Sequence, residues 1–154
     1  GEMLESALAR ARKLTPSPGP SLLLTGERSS YQGLTYCLDL QLMSRVLDNL
    51  LGNAIKYAGS PGSRIWVHAW EAEGDMMFEV CDEGPGIPEE DREQIFERFD
   101  VGSETEREAA KRFGIGLFFC KTVVEAHGGR IWEEAGRGGG ACFRIRLLNQ
   151  RGDG

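Results

Sequence analysis

The chain lacks both a segment apolar enough to span a membrane and an excess of positive charge. No hydrophobic run approaches the roughly 20 residues of a transmembrane helix, and the N-terminus has no signal-peptide pattern. The 18 Lys and Arg residues are outnumbered by 24 Asp and Glu, a net charge of −6. We therefore predict no membrane segment in this chain and no nucleic-acid partner, and an anionic ligand would need donors placed locally.

Cysteine and histidine are also scarce. The four cysteines form no C-x-x-C pair and have apolar neighbours, which predicts buried thiols in a reducing, cytoplasmic compartment rather than disulfides or a zinc site. His68 lies in a predicted strand and His127 near the end of a predicted helix, and neither is followed by an acidic residue that could serve as its base. We interpret both histidines as structural. The cysteines are Cys37, Cys81, Cys120 and Cys142.

Glycine, in contrast, is abundant. The chain has 21 glycines among 154 residues, about twice the usual ~7%. Many lie after Asp100, and apart from the short GRGGG stretch they do not form a low-complexity run. Glycine permits backbone conformations and close approaches that other residues do not. The glycines are therefore candidates for turns and for contact with a ligand.

Residues 42–57 show the strongest helical pattern. Their polar face carries Asn49, Asn53 and Lys56, flanked by Leu42 and Val46. Amide oxygens suit a hard cation such as Mg²⁺, and a lysine suits a phosphate oxygen. The alternative is that this face simply meets solvent. The opposite, apolar face consists of Met43, Leu47, Leu50, Leu51, Ala54, Ile55 and Ala58.

The order of the predicted elements indicates the fold class. Helices and antiparallel hairpins follow each other with little strand–helix–strand alternation, which predicts an α/β (α+β) two-layer sandwich with a mixed, mostly antiparallel sheet. About five strands would pack on about three helices, and Asp39 would cap the central helix. We predict helices over 3–14, 42–57, 89–99 and 114–126, strands over 22–25, 34–38, 64–71, 76–81, 130–134 and 141–148, and a mobile polar segment over 100–112.

Two glycine motifs are candidate ligand sites. In CDEGPGIP, Asp82 follows a buried strand and could accept a hydrogen bond from an amine, while Gly84 and Gly86 would let a flat ligand approach. The alternative is an ordinary turn in which Asp82 caps backbone N–H groups. In FGIGL, Gly114 and Gly116 open a helix, whose free N–H groups form an anion site. A dinucleotide fingerprint does not fit, because no strand immediately precedes the motif.

Six ordered motifs together resemble the catalytic, ATP-binding domain of the sensor histidine kinases of two-component systems. They correspond to its N box, first glycine box, F box, second glycine box and closing glycine–strand motif, and they span about residues 34–148. The resemblance implies the Bergerat fold, which holds Mg-ATP under a mobile lid. The motifs are LDNLLGNAIKYA, CDEGPGIP, IFERF, FGIGL, VVEAHGG and GGACFRIRLL.

At the phosphate end, the resemblance implies that Asn53 ligates Mg²⁺ and that Asn49 supports the metal site. Lys56 would contact phosphate, and Arg98 of the F box would contact the γ-phosphate. The lid would be residues 100–113. The second glycine box, which would hold the phosphates through backbone N–H groups, comprises Gly114, Ile115, Gly116 and Leu117.

At the base end, the resemblance implies that Asp82 accepts a hydrogen bond from the exocyclic amine of adenine. Tyr57 would line the nucleotide site, and Gly84, Gly86 and Ile87 would shape the pocket. The sequence departs from the usual family pattern at Arg112, Phe113 and Phe118, which predicts a lid that closes differently.

The residue at position 49, an asparagine, bears on whether the domain transfers a phosphoryl group or hydrolyses ATP. ATP-hydrolysing relatives carry a glutamate base at this position, whereas asparagine cannot take a proton from water. We therefore expect phosphoryl transfer to a histidine on a separate dimerisation domain, with a response regulator downstream. Residues 1–20 would end a connecting helix and linker, residues 21–150 would form the catalytic domain, and a membrane anchor could lie elsewhere in the parent protein. The alternatives are a nucleotide-binding regulator without phosphotransfer and an ATP-hydrolysing relative.

Overall fold

The structure, a computed structural model, describes residues 2–15, 17, 19–25, 38–58, 60–97 and 116–148. Several predictions therefore lie outside the described residues. They are the strand over 34–37, the lid over 100–113 with Arg112 and Phe113, and the positions of Cys37, Arg98, Gly114 and Ile115.

The described residues form a five-stranded sheet in the order β1-β2-β3-β5-β4. Strand β1 runs parallel to β2, and the other neighbours are antiparallel. This mixed, mostly antiparallel sheet confirms the predicted fold class. The strands are β1 (Ser21–Thr25), β2 (Arg64–Ala72), β3 (Asp75–Asp82), β4 (Arg130–Ala135) and β5 (Ala141–Leu147), and the α-helices are α1 (Glu2–Leu14), α2 (Leu40–Ala58) and α3 (Gly116–Ala126).

Helix α2 lies at the centre of the core. It is capped as predicted, since the backbone N–H of Leu42 donates to Asp39 Oδ1 at 3.0 Å. Its apolar face packs between the sheet and the other helices, and Ile55 at the margin of that face is half-buried. The buried side chains of the predicted face are Met43, Leu47, Leu50, Leu51 and Ala54.

Helix α1 packs into the same core. Its Leu4 and Leu8 are buried, and Arg10 pairs with Asp48 of α2 at 3.0 Å. The assignment of residues 1–20 to the end of a connecting helix stays a prediction, and the observed packing adds a structural role for α1 within this domain. Among the described residues, no helix combines the length and the apolar character that a membrane crossing requires.

The hydrogen bonds of His127 confirm the prediction that this histidine has a structural role. Its Nδ1 lies 2.7 Å from the Val123 carbonyl, and its Nε2 accepts the Asp39 N–H at 3.0 Å. This pattern assigns the proton to Nδ1, because a neutral imidazole donates through one nitrogen and accepts through the other. The histidine therefore ties the end of α3 to the start of α2.

The helix predicted over 89–99 is wrong within its described part. Two short 3₁₀ turns, Glu89–Asp91 and Gln94–Phe96, replace it. The second turn inserts Ile95 and Phe96 into the core, where the Phe96 ring meets Phe143 edge-on at 6.0 Å. Glu97 then adopts an extended backbone conformation, with φ −76° and ψ 154°, which ends the second turn and prevents a continuous α-helix.

The prediction of four free thiols is also wrong, because Cys81 and Cys142 form a disulfide. The two residues are directly opposite in the β3–β5 register, with Cα atoms 4.1 Å apart. Their separation of 61 residues along the chain hides this proximity from sequence patterns. Cys120 agrees with the prediction: it is a free, buried thiol, and burial raises its pKa to about 12.

Candidate functional site

A cavity of about 440 Å³ lies where the ends of β3 and β5 meet the loop over residues 83–88 and helix α2. Among the predicted site residues, it brings together Asn53, Tyr57, Asp82, Gly86, Ile87 and Leu117. The remaining residues of the wall are Pro85, Pro88, Arg92, Ala135, Gly139, Gly140, Ala141 and Phe143.

Asp82 is a buried carboxylate at this cavity, only 4% exposed. Its Oδ1 accepts the backbone N–H of Gly84 at 2.8 Å and that of Ala141 at 3.3 Å. The turn-capping interpretation is therefore correct, and it uses one oxygen only. Among the described residues nothing donates to Oδ2, which leaves that oxygen to a ligand. Burial raises the pKa of Asp82, while the two N–H donors oppose this shift.

Two glycines allow the backbone to close around Asp82. Gly86 has a φ of 76°, and a Cβ atom there would collide with the Gly139 carbonyl oxygen. A Cβ atom at Gly140 would overlap the carbonyl of Asp82 itself. The loop after β3 and the turn before β5 therefore pack backbone against backbone. Together they form a cradle of backbone atoms beside the carboxylate.

Asn53 faces the same cavity from α2. Its Nδ2 is fully buried and has no hydrogen-bond partner among the described residues. An unsatisfied buried amide costs about 1–3 kcal/mol, so its presence beside a cavity points to a ligand. Rotation of the amide would present its oxygen in the same place, and an amide oxygen is a ligand that Mg²⁺ accepts. The residue thus fits the predicted metal role.

Four predicted site residues are near the cavity but are not part of its wall. Asn49 packs against the start of α3, where a Cβ on Gly116 would lie 2.8 Å from its Oδ1. Lys56 is exposed, with its Nζ 5.6 Å from the centre of the Tyr57 ring. Gly84 contributes its N–H to Asp82. The ligand contacts assigned to Asn49, Lys56, Gly84 and Gly116 stay predictions.

The sequence interpretation missed Arg92. Its side chain lines the cavity, and its Nε lies 2.9 Å from Oε2 of Glu133, whose side chain is completely buried. Burial raises the pKa of Glu133, the charge of Arg92 lowers it and the charge of Asp82 raises it. The pair fastens the loop wall of the cavity to β4. No spacing rule connects an arginine in a loop to a glutamate 41 positions later.

The sequence interpretation assigned no specific ligand contact to the glycine turn before β5 or to the first residues of the predicted strand 141–148. Gly139, Gly140, Ala141 and Phe143 nevertheless line the cavity. The signal that could have found them was the GRGGG run, which is typical of close backbone approach as well as of turns.

Comparison with known proteins assigns the family. Residues 38–151 match the family model described as histidine kinase-, DNA gyrase B- and HSP90-like ATPase. Because this match covers most of the chain, the chain belongs to that family. The predicted resemblance is thereby confirmed.

Similar proteins include a sensory kinase and a sensor protein. The adaptive-response sensory kinase SasA of Parasynechococcus marenigrum (strain WH8102) is 39% identical over 117 residues, 75% of this chain and 30% of the relative. The sensor protein KdpD of Escherichia coli (strain K12) is 39% identical over 113 residues, 73% of this chain and 12% of the relative. The chain therefore spans less than a third of these relatives.

Solved structures agree. The mycobacterial sensor histidine kinase MprB superposes with a TM-score of 0.72 at 27% identity, covering 96% of this chain and 93% of that one. The catalytic domain of histidine kinase ThkA has the same fold, with a TM-score of 0.78 at 24% identity and coverage of 96% and 91%.

Proposed function

We propose that this domain binds Mg-ATP and donates the γ-phosphoryl group to a histidine on a separate dimerisation domain. The observation that carries the proposal is one cavity lined both by Asp82, whose Oδ2 is available, and by the unsatisfied amide of Asn53. The family membership supports the same ligand, and the names of the relatives support the same reaction.

The base end suits adenine. An acceptor at Asp82 Oδ2 pairs with the exocyclic amine of adenine, whereas guanine would present its O6 oxygen there and be repelled. Ile87 and Phe143 offer apolar contact to the faces of the ring, and the Gly86–Gly140 cradle excludes side chains from its edge. The site thus combines a polar anchor with apolar walls, as small-molecule sites usually do.

The phosphate end needs charge neutralisation. When bound, Mg²⁺ supplies this by balancing the negative charge of the phosphate oxygens. Asn53 would hold the ion through its amide oxygen, and Lys56, one helical turn further, would reach a phosphate as a point charge. The start of α3 at Gly116 would add backbone N–H groups. This chain would therefore catalyse by position and charge rather than by proton transfer.

Transfer is favoured over hydrolysis because, in the described part of the cavity wall, no carboxylate lies at the proposed metal position. Among the described residues of the cavity wall, Asp82 is the sole carboxylate, and it lies at the base end. Asn49 cannot accept a proton and packs against Gly116. Water at the γ-phosphate would thus lack activation, and the acceptor histidine would bring its own base. A response regulator would then receive the phosphoryl group.

The test mixes the domain with the cognate histidine-bearing domain and γ-labelled Mg-ATP. We expect label on the histidine domain that is lost in acid, as a phosphohistidine is, and strongly reduced transfer by the Asp82→Asn variant at limiting ATP. Binding of ATP without phosphohistidine would favour a regulator. Rapid release of phosphate without the acceptor would favour an ATPase and would show that the role of Asn49 is wrong.

A further inference from the structure

The Cys81–Cys142 disulfide lies one residue away from the base end of the cavity. Cys81 immediately precedes Asp82, and Cys142 immediately follows Ala141, whose N–H donates to Asp82. The register between β3 and β5 ends at this cysteine pair. The disulfide therefore joins the two strands at the last residue pair of their register, directly beside the contacts that Ala141 and Gly140 make with Asp82.

The geometry of the cradle depends on the spacing of these two strand ends. The Ala141 N–H to Asp82 Oδ1 distance, 3.3 Å, is near the limit for a hydrogen bond, and Gly140 packs directly on the Asp82 carbonyl. A small separation of β3 from β5 would break the first contact and loosen the second. A covalent bond at the adjacent residue opposes such a separation.

We infer that Cys81 and Cys142 form a thiol–disulfide exchange site whose redox state sets the affinity of the cavity for its nucleotide. This inference rests on the proposed ATP binding. The co-reactant is a dithiol: one of its sulfurs attacks a cystine sulfur to give a mixed disulfide, and its second thiol displaces the protein sulfur. Two electrons and two protons pass from the dithiol to the protein. The two cysteines become thiols, and the dithiol becomes an intramolecular disulfide.

Because of the groups around the two sulfurs, thiol–disulfide exchange requires the ends of β3 and β5 to open locally. Cys81 is 1% exposed and Cys142 5% exposed. Trp66 is paired opposite Cys81 on β2, and the carboxylate of Glu79 lies within 4.8 Å of both sulfurs. Glu79 is itself paired with Arg144 at 3.1 Å, and because both sulfurs are buried, exchange is slow in the closed state. A reductant reaches the sulfurs when the strand ends open, the same motion that opens the cradle.

Linkage is reciprocal. If the disulfide raises the affinity of the chain for the nucleotide by some factor, the bound nucleotide must shift the thiol–disulfide equilibrium towards the disulfide by the same factor. We expect the reduced chain to bind Mg-ATP about fivefold or more weakly than the oxidised chain, near the lower end of typical coupling factors. ATP should shift the equilibrium of the cysteine pair with a dithiothreitol redox buffer towards the disulfide by that factor.

The first experiment is calorimetry of Mg-ATP on the oxidised and the reduced chain, with the Cys81–Cys142 linkage verified by peptide mass spectrometry. The double variant Cys81→Ala/Cys142→Ala should bind like the reduced chain and ignore dithiothreitol. The matched control Cys120→Ala, which removes the free buried thiol, should keep the redox response. Equal affinity of the oxidised and reduced chains would overturn the inference and leave the proposed function intact, while no ATP binding in either state would overturn both.

The second experiment needs no variant. The fraction of Cys81–Cys142 disulfide in the unmodified chain is measured at several ratios of reduced to oxidised dithiothreitol, with and without saturating Mg-ATP. A shift of the midpoint ratio by the factor seen in calorimetry supports the inference. A midpoint that ATP does not move would overturn it, even if the double variant fails to fold.

Discussion

The two ends of the cavity are built in different ways. At the base end, Asp82 is buried and held by two backbone N–H groups from two separate parts of the chain. At the proposed phosphate end, Asn53 in the cavity wall and Lys56 outside it project from a single helix, the first half-buried and the second exposed. Tertiary contacts preorganise the proposed base end, whereas at the proposed phosphate end the amide nitrogen of Asn53 has no hydrogen-bond partner among the described residues. Affinity should therefore depend most on the buried carboxylate and least on the exposed lysine.

The largest expected effect comes from Asp82→Asn. The asparagine Oδ1 can still accept the N–H groups of Gly84 and Ala141, but an NH₂ donor replaces the acceptor at Oδ2. A hydrogen bond to a charged group is worth about 1.5–3 kcal/mol, so ATP affinity should fall roughly tenfold to a hundredfold. Calorimetry measures the change, with circular dichroism as the check on the fold. Unchanged ATP affinity would remove Asp82 from base recognition.

Asn53→Ala should have the next largest effect, and one that depends on the metal. ATP affinity should fall about tenfold or more in the presence of Mg²⁺, because a contact to a charged group is lost, and change little with a chelator present. Titrations with and without Mg²⁺ separate the two cases. An equal loss in both conditions would assign Asn53 to the nucleotide rather than to the metal.

Lys56→Met should show a smaller effect. The lysine is exposed and is not part of the cavity wall, so its attraction for phosphate is screened by solvent. We expect a loss of ATP affinity of about twofold to fivefold that disappears at high salt, since exposed pairs are worth roughly 0.2–1 kcal/mol. The measurement is affinity at low and high ionic strength. A loss as large as that of Asp82→Asn would mean that the phosphate end is preorganised too.

The smallest effect concerns stability without ligand. Since burial raises the pKa of Asp82, the folded protein binds a proton more readily than the unfolded chain between the usual and the raised pKa. Stability conferred by the protonated form is therefore lost as pH rises through that window. Above this pH window, the melting temperature of the Asp82→Asn variant should equal that of the parent chain or exceed it by at most a few degrees. Thermal melts from acidic to neutral pH test this, and a clearly lower melting temperature for the variant at neutral pH would contradict it.

The phosphate end was the more predictable one because it uses local periodicity. Asn49, Asn53 and Lys56 follow helical spacing, and α2 is found where the pattern places it. The structure then separates Asn53, which lines the cavity, from Asn49, which packs against Gly116. Spacing along one helix predicts a shared face, but the neighbouring helix decides which part of that face stays open.

The base end could be predicted only in part. The residue types in CDEGPGIP indicated an acceptor beside glycines, yet the partner from β5, Ala141, is 59 positions from Asp82. The Arg92–Glu133 pair and the Cys81–Cys142 disulfide escaped prediction for the same reason. Each joins segments that become neighbours only through the strand order, which local patterns do not encode.

By itself, the sequence determined most of the described helices and strands, the mostly antiparallel sheet and the family, because periodicity, turn residues and ordered motifs are local properties of the chain. Only the tertiary structure decided which oxygen of Asp82 stays available, which asparagine reaches the cavity and which cysteines are bonded. These depend on the β3–β5 register and on the packing of α3 against α2. Contacts of that kind arise from the mutual fit of distant segments.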